Sequence, residues 1–335
     1  MSYFFTSSEL PRRLSFFWTA YQFTSVIAAF LAFGILRLRG HNGMAGWRWL
    51  FALEGLLTGI LGVVAFFYLP PSPTQTASKF RGKDGWFSEQ EEKIMVNRVL
   101  RDDPSKGDMH NRQGLTLRLL AEALWDYDMW PIYMLGLSWL IPNSPANSYL
   151  TLQLRSLGFG VFQTNLLTIP AYMGFILSCL FFAWFSEKTN QRILLGVITQ
   201  TWCLILLIVL IFLPGQASPW ARWVISTLLI SAPYIHPVLV AITSRNAGSV
   251  RTRTVASAFY NMMCQLSNII SSNVRREIIL IVFVSKLGAN DRGRQIYRDK
   301  DKPLYRFGNK ALAIVASYNI LLFIAVKLYY VWRNR

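Results

Sequence analysis

The sequence predicts an all-α membrane protein of about eight transmembrane helices. Three observations carry that expectation. Hydrophobic residues make up 53% of the 335-residue chain and charged residues only 15%. A soluble domain carries about 25% charged residues, so this chain lacks the polar groups to coat a water-facing surface. Mean hydropathy is +0.32. Eight separate stretches also approach the roughly 20 apolar residues that a helix needs to cross about 30 Å of hydrocarbon.

The expected spans lie at about 15–36, 47–69, 127–147, 164–186, 193–213, 221–243, 254–273 and 311–332. Aromatic residues mark several ends, as with Trp47 and Trp49 before the second and Tyr329, Tyr330 and Trp332 closing the last. Such amphipathic rings suit the headgroup level. Arg12 and Arg13 precede the first span, but no small-residue cleavage site ends it, so it reads as a span and not as a secretory signal.

Residues 70–126 have another character. Pro70, Pro71 and Pro73 open the stretch, which then becomes mixed in charge. It reads as a polar connector between two helical bundles, with one or two surface helices. Ser88 followed by Glu91 has the capping-box pattern and would open one of them. The 115–124 stretch has apolar residues at helical spacing. That pattern fits a helix lying along the membrane face and equally an ordinary amphipathic surface helix.

The formal charge of +17 raises the question of nucleic acid. The basic residues sit beside apolar runs, where membrane proteins keep them, and no groove-reading or base-stacking module accompanies them. Lys79, Arg81, Lys83, Lys93, Arg98, Arg101, Lys106, Arg112 and Arg118 crowd the connector. The loops at 188–192 and 245–253 and both chain ends are also basic. The loops near 148–163 and 214–220 carry Arg155 alone, with Arg222 at a span edge. This bias places the connector, the basic loops and both termini in the cytoplasm, which an even number of spans permits.

Enzyme signatures are missing. Cys179, Cys203 and Cys264 lie inside apolar runs without metal or redox spacing and read as small buried hydrophobes. His41, His110 and His236 form no metal-binding pattern. Neither a Ser-centred nucleophile elbow nor a phosphate-binding Gly-rich loop occurs, so no cofactor and no catalysis are expected.

Several short motifs resemble one family. Gly46-Trp-Arg-Trp-Leu-Phe-Ala-Leu-Glu54-Gly55 followed by Leu69-Pro-Pro-Ser-Pro73 is similar to the sixth helix of the fungal anion:cation symporters. These are the allantoate permease group of the major facilitator superfamily. Further matches are Asp126-Tyr-Asp-Met-Trp-Pro131, Tyr149-Leu-Thr-Leu152, Gly158-Phe159 and Thr164-Asn-Leu-Leu-Thr-Ile-Pro170. Ile296-Tyr-Arg-Asp-Lys-Asp-Lys-Pro303 and Tyr305-Arg-Phe-Gly-Asn309 extend the resemblance to the carboxyl end.

The resemblance implies a proton-coupled permease for a small organic anion or vitamin (allantoate, pantothenate, biotin or nicotinate), with protons, that anion and the lipid bilayer as partners. It also implies a multi-pass protein of the plasma membrane. Family members resemble two six-helix halves joined by a cytoplasmic loop. On that pattern residues 1–69 are the remnant of an amino-terminal bundle, 70–126 the central loop and 127–335 the carboxyl-terminal bundle. The chain then holds an incomplete major facilitator-type bundle, about eight of twelve helices, and a truncated, non-transporting fragment is the alternative reading.

Residues 274–295 depart from the family pattern. Deleting them restores the family's join between Asn273 and Ile296. Valine codons begin GT, glutamine can be CAG, and Ala289-Asn290 can encode CTAAC, so a translated intron is expected. A genuine external loop with a re-entrant piece at 278–284 is the other reading.

A polar group inside a span is costly and is therefore a candidate for function. Glu54 fits a proton or cation site, or an ion pair with Arg48 near the membrane edge. Asn143, Asn147 and Tyr149 follow or flank Pro142 and Pro145, which would break the third span and free backbone groups toward a cavity. A plain helix end near the outer face is the alternative. Tyr234 and His236, between Pro233 and Pro237, form a similar break in the sixth span. His236 suits a proton relay by its ordinary pKa near 6.5, or a hydrogen bond between helices. Asn261, Gln265 and Asn268 share one helical face, which lines the pathway or binds helices together. Arg245 and Asn246 could steer anions or simply anchor the cytoplasmic end. Ser186-Glu-Lys-Thr-Asn-Gln-Arg192 resembles the superfamily's cytoplasmic loop motif, which implies a conformational latch built on Glu187 and Arg192.

Overall fold

A computed structural model describes residues 4–6, 8–83, 85–104, 107, 116–189, 191–247, 250–273 and 306–333. The suspected insertion at 274–295 and the motif at 296–303 lie outside the described residues. The described residues form helices and turns, with one isolated antiparallel bridge between Ser78 and Gly82.

Twelve α-helices follow one another in the described chain. The first two are α1 (Leu10–Ile35) and α2 (Gly46–Tyr68). The connector contributes α3 (Glu89–Asp102) and α4 (Leu117–Leu124). The bundle follows as α5 (Trp130–Ser138), α6 (Ser144–Ser156), α7 (Val161–Thr189) and α8 (Leu194–Phe212). It closes with α9 (Pro219–Ile230), α10 (His236–Asn246), α11 (Val250–Asn273) and α12 (Arg306–Arg333).

All eight expected spans contain helix, and among the described residues five helices are long and apolar enough to cross a bilayer: α1, α2, α7, α8 and α12. The other three differ for physical reasons. The expected 127–147 span is two half-helices, α5 and α6, and α6 runs on to Ser156 into the stretch read as a loop. The 221–243 span is likewise α9 followed by α10. In each case one proline sits in the break (Pro142, Pro233) and another in the first turn of the next half (Pro145, Pro237). A first-turn proline needs no backbone donor and helps to start a helix. Pro145 therefore opens α6 and does not break it. The third case, α11, is continuous but carries Ser257, Asn261, Gln265, Ser267, Asn268 and Ser271, which lower its hydropathy.

The predicted capping box is present. Ser88 Oγ accepts from the Glu91 backbone N–H at 3.4 Å while the Ser88 N–H donates to Glu91 Oε2 at 2.9 Å. Hydrogen bonding to the Ser88 backbone and side chain holds the Glu91 carboxyl below the usual range. This start fixes α3, which lies close to α1 through an Arg98–Glu9 ion pair. The helix α4 packs against α11.

Two apolar clusters hold the bundle. One joins Leu150 and Leu154 of α6 to Ala171, Leu207, Leu229 and Leu312; the other joins Tyr133 of α5 to Leu195, Leu239, Tyr260 and Phe323. Glycine brings α8 and α12 together, because a Cβ on Gly196 would collide with the Phe323 ring. Against this bundle α1 lies along α7 and α10. Its buried positions, Ser15, Gln22, Val26 and Ala29, recur at helical spacing and form one narrow stripe. In α2 only Gly46 is buried.

Candidate functional site

The two broken helices meet. Trp139 in the first break and Tyr234 in the second bring their ring centroids to 5.5 Å. A break releases carbonyls that the helix would otherwise satisfy, and inside lipid these need other donors. The bundle supplies them from neighbouring helices. Gln200 of α8 donates to the Trp139 carbonyl at 3.0 Å, and Asn319 of α12 donates to that of Ser138 at 2.9 Å. Asn319 also donates to Gln200 Oε1 at 3.2 Å, closing a small network in which both side chains are fully buried. At the second break Thr199 Oγ1 donates to the Pro233 carbonyl at 3.0 Å and Ser178 Oγ to that of Ala232 at 3.4 Å.

His236 begins α10 at this junction and is 3% exposed. Its ring lies in an aromatic enclosure built by α1, α11 and the first break. Trp18 of α1 meets it edge-on at 4.6 Å, Tyr260 of α11 stacks at 5.4 Å, and Trp139 stacks at 6.3 Å. The Nδ1 atom lies 3.4 Å from Tyr260 Oη and 3.8 Å from Cys264 Sγ. Nε2 makes no hydrogen bond among the described residues, with the Asn261 side chain in electrostatic reach. Tyr234 is partly buried and rests on Phe175 of α7 at 4.7 Å.

The remaining candidates scatter. Asn143 precedes α6, and its buried Oδ1 has no partner among the described residues. Asn147 is exposed, while Tyr149 is half-buried against the Leu150–Leu154 cluster. Asn261, Gln265 and Asn268 do share a face of α11. Asn261 Nδ2 donates to its own helix at the Ser257 carbonyl (2.9 Å), and Asn268 Nδ2 to Gln265 Oε1 (3.3 Å). The structure does not bring Glu54 and Arg48 together. Arg48 lies over the Trp47 ring, and Glu54 forms no ion pair among the described residues.

At the basic end of the bundle, Glu187 pairs with Arg12 of α1 at 3.9 Å and not with Arg192. The ion pair thus links α1 to α7. Arg192 instead faces Arg245 across a cleft. Burial and then the like charge of Arg245 hold the Arg192 guanidinium below its usual pKa. Sequence reasoning passed over Gln200, Asn319, Trp18 and Tyr260. An amide within a long apolar run was the available signal for the first two.

This arrangement of apolar helices around a buried, proline-broken junction defines an integral multi-pass membrane protein. The chain belongs to the Major Facilitator Superfamily, whose profile matches residues 1–272. It is 38% identical over 336 residues to the uncharacterized transporter YIL166C of Saccharomyces cerevisiae, covering 100% of this chain and 58% of that protein. It is 23% identical over 271 residues to the major facilitator-type transporter hxnP of Emericella nidulans, covering 80% of this chain and 52% of the relative. A match at 25% identity over 334 residues reaches the uncharacterized transporter C1039.04 of Schizosaccharomyces pombe, covering 96% of this chain and 58% of that protein. The chain therefore spans little more than half the length of these relatives. All three relatives are named as transporters.

Proposed function

We propose that the chain is the larger part of a secondary active transporter for a small organic anion or vitamin, driven by protons, with its substrate path at the meeting of the two broken helices. The observation that carries this reading is the buried His236 at the Trp139–Tyr234 junction, in contact with α1 from outside the bundle. Helix breaks near the membrane midplane are where such transporters build their sites, because backbone polarity is already freed there. An imidazole with one ring nitrogen unpaired is able to take and release a proton. Residues 1–69 supply two helices of the partner half, α3 and α4 belong to a cytoplasmic central loop, both termini face the cytoplasm, and the membrane is the plasma membrane.

The relatives' greater length supports a further segment completing the path, which this reading sets on the amino-terminal side. A retained intron at 274–295 is supported by the end of the family match at residue 272. A mature transcript that keeps these codons would refute it.

The functional test is growth and uptake. The chain is joined behind the amino-terminal segment of the Saccharomyces relative and expressed in yeast lacking nutrient transporters. Expected is uptake of one member of an allantoate, pantothenate, biotin and nicotinate panel that rises as the outside is acidified and is lost in His236→Ala. A chimera that reaches the membrane yet takes up none of them, or whose uptake ignores both pH and His236→Ala, sinks the proposal.

A further inference from the structure

At the end of the bundle where α7 hands over to α8, three cations from three different elements converge on one cleft of about 710 Å3. Arg192 comes from the α7–α8 turn, Arg245 from the last turn of α10 and Lys327 from the last turns of α12. Gln191, Asn246 and Tyr330 complete the polar lining. No carboxylate lines it among the described residues.

Two carboxylates at this end are paired with other cations. Glu187 is held by Arg12, and Asp128 by Arg333 and the Tyr329 hydroxyl. Lys327 donates to the neutral Gln191 Oε1 at 2.9 Å. None of the three cations forms an ion pair among the described residues. Folding therefore holds three like charges around one concavity without neutralising them. Arg192 is half-buried there, and its neighbour's charge disfavours its own.

A charge anchor at a membrane edge does not require this geometry. It works through Lys or Arg residues spread along exposed loops, as in the connector. Enclosure and convergence matter when one multivalent anion must be gripped. Two guanidinium forks and one ammonium match a phosphoryl group, because each Arg offers paired donors to two oxygens and Lys a point charge to a third. The Asn246 and Gln191 amides and the Tyr330 side chain add polar groups at the margin.

We propose that Arg192, Arg245 and Lys327 form a binding site for a phosphoryl anion at the basic end of the bundle, away from the helix breaks. The chemistry is that of a phosphate monoester or free phosphate, and it is met by the headgroup of a monoester lipid or by a soluble phosphate compound. The site stands whether or not the helix breaks carry substrate.

The test uses the whole chain, purified in a neutral detergent and stripped of lipid. Inorganic phosphate and dioctanoyl phosphatidic acid are titrated separately, with thermal unfolding and native mass spectrometry as readouts. Saturable binding of at least one is expected. Phosphatidic acid alone assigns the site to a lipid headgroup; phosphate as well assigns it to the phosphoryl group itself. The Arg192→Gln/Arg245→Gln double variant is expected to weaken binding tenfold or more, while Arg155→Gln at the opposite end leaves it unchanged. Should the double variant fail to fold, Lys327→Gln alone is expected to weaken binding at least threefold. Absence of saturable binding to the unaltered chain overturns the site. So does unaltered affinity in the cleft variants, or an equal loss in Arg155→Gln.

Discussion

The first two helices and the bundle that follows them are both apolar, yet they are held in different ways. In the bundle the long helices contribute side chains to two buried clusters, and the buried amides of Gln200 and Asn319 bond to carbonyls at the break of a neighbouring helix. In α1 a single stripe touches α7 and α10, and α2 presents nearly its whole surface outward. Apolar composition puts a helix in lipid. Packing against other helices requires something more, namely small residues and matched polar groups, because lipid tails are as apolar as the side chains. The bundle uses such devices at its contacts, whereas in α1 the contact runs along one stripe, and the small residues Gly55, Gly59 and Gly62 of α2 meet nothing within 4 Å among the described residues.

The largest difference should come from glycine. Gly196→Ala places a methyl group into the buried Phe323 ring, so α8 and α12 must part or Phe323 must leave its rotamer. Overpacking of this kind costs about 1–3 kcal/mol. Gly59→Ala in α2 meets nothing within 4 Å and should leave stability unchanged. Thermal unfolding in detergent compares the two. Equal effects would mean that α2 is packed as tightly as the bundle.

The amides at the first break come next. Gln200→Ala leaves the Trp139 carbonyl without its donor, whereas after Asn319→Ala the Ser138 carbonyl keeps the Ile141 N–H at 3.2 Å. A buried polar group left unsatisfied costs about 1–3 kcal/mol. Because the two side chains also bond to each other, the double variant should cost less than the sum of the singles. Strict additivity in denaturation midpoints would show that the network does not act as a unit.

Much of this architecture was legible from the chain. Long apolar runs named all eight helical stretches, prolines located both breaks, and Ser88 with Glu91 marked the start of α3. The caps at the breaks were harder to read. Their acceptors are backbone carbonyls, which carry no side-chain signature, and Gln200 and Asn319 meet from positions 119 residues apart. The same holds for Trp18 against His236, a contact fixed by how α1 docks. The latch motif pointed to Glu187, but its partner Arg12 lies on another element. The charge bias rests on Arg155 alone in the loops near 148–163 and 214–220, with Arg222 at a span edge, whereas Arg37 and Arg39 also stand at that end, in the turn between α1 and α2.

A smaller effect probes how α1 is tied to α7. Their charged contact is the exposed Arg12–Glu187 pair, and such pairs contribute about 0–1 kcal/mol. Glu187→Gln should leave the unfolding temperature of the bundle nearly unchanged while widening the distance distribution between spin labels on α1 and α7. Reversing both charges, Arg12→Glu with Glu187→Arg, should narrow it again. If the distribution ignores all three substitutions, the apolar stripe alone docks α1.

The smallest effect concerns the connector. Burial alone would raise the Glu9 carboxyl, but the Thr6 backbone and side chain and then the Arg98 guanidinium outweigh it, so its pKa lies below the ordinary value. A carboxyl lowered by folding contributes its stabilisation above the unfolded pKa and loses it as pH falls through the folded value. The α1–α3 contact should therefore be constant at neutral pH and loosen only in acid, below the usual carboxylate range. Spin labels on α1 and α3 would report this as a rise in distance that Glu9→Gln makes independent of pH. The bundle has no part in that pair, so labels on α8 and α12 should not move over the same range. If both pairs separate together, acid is unfolding the whole chain, and the first helices are no less firmly held than the rest.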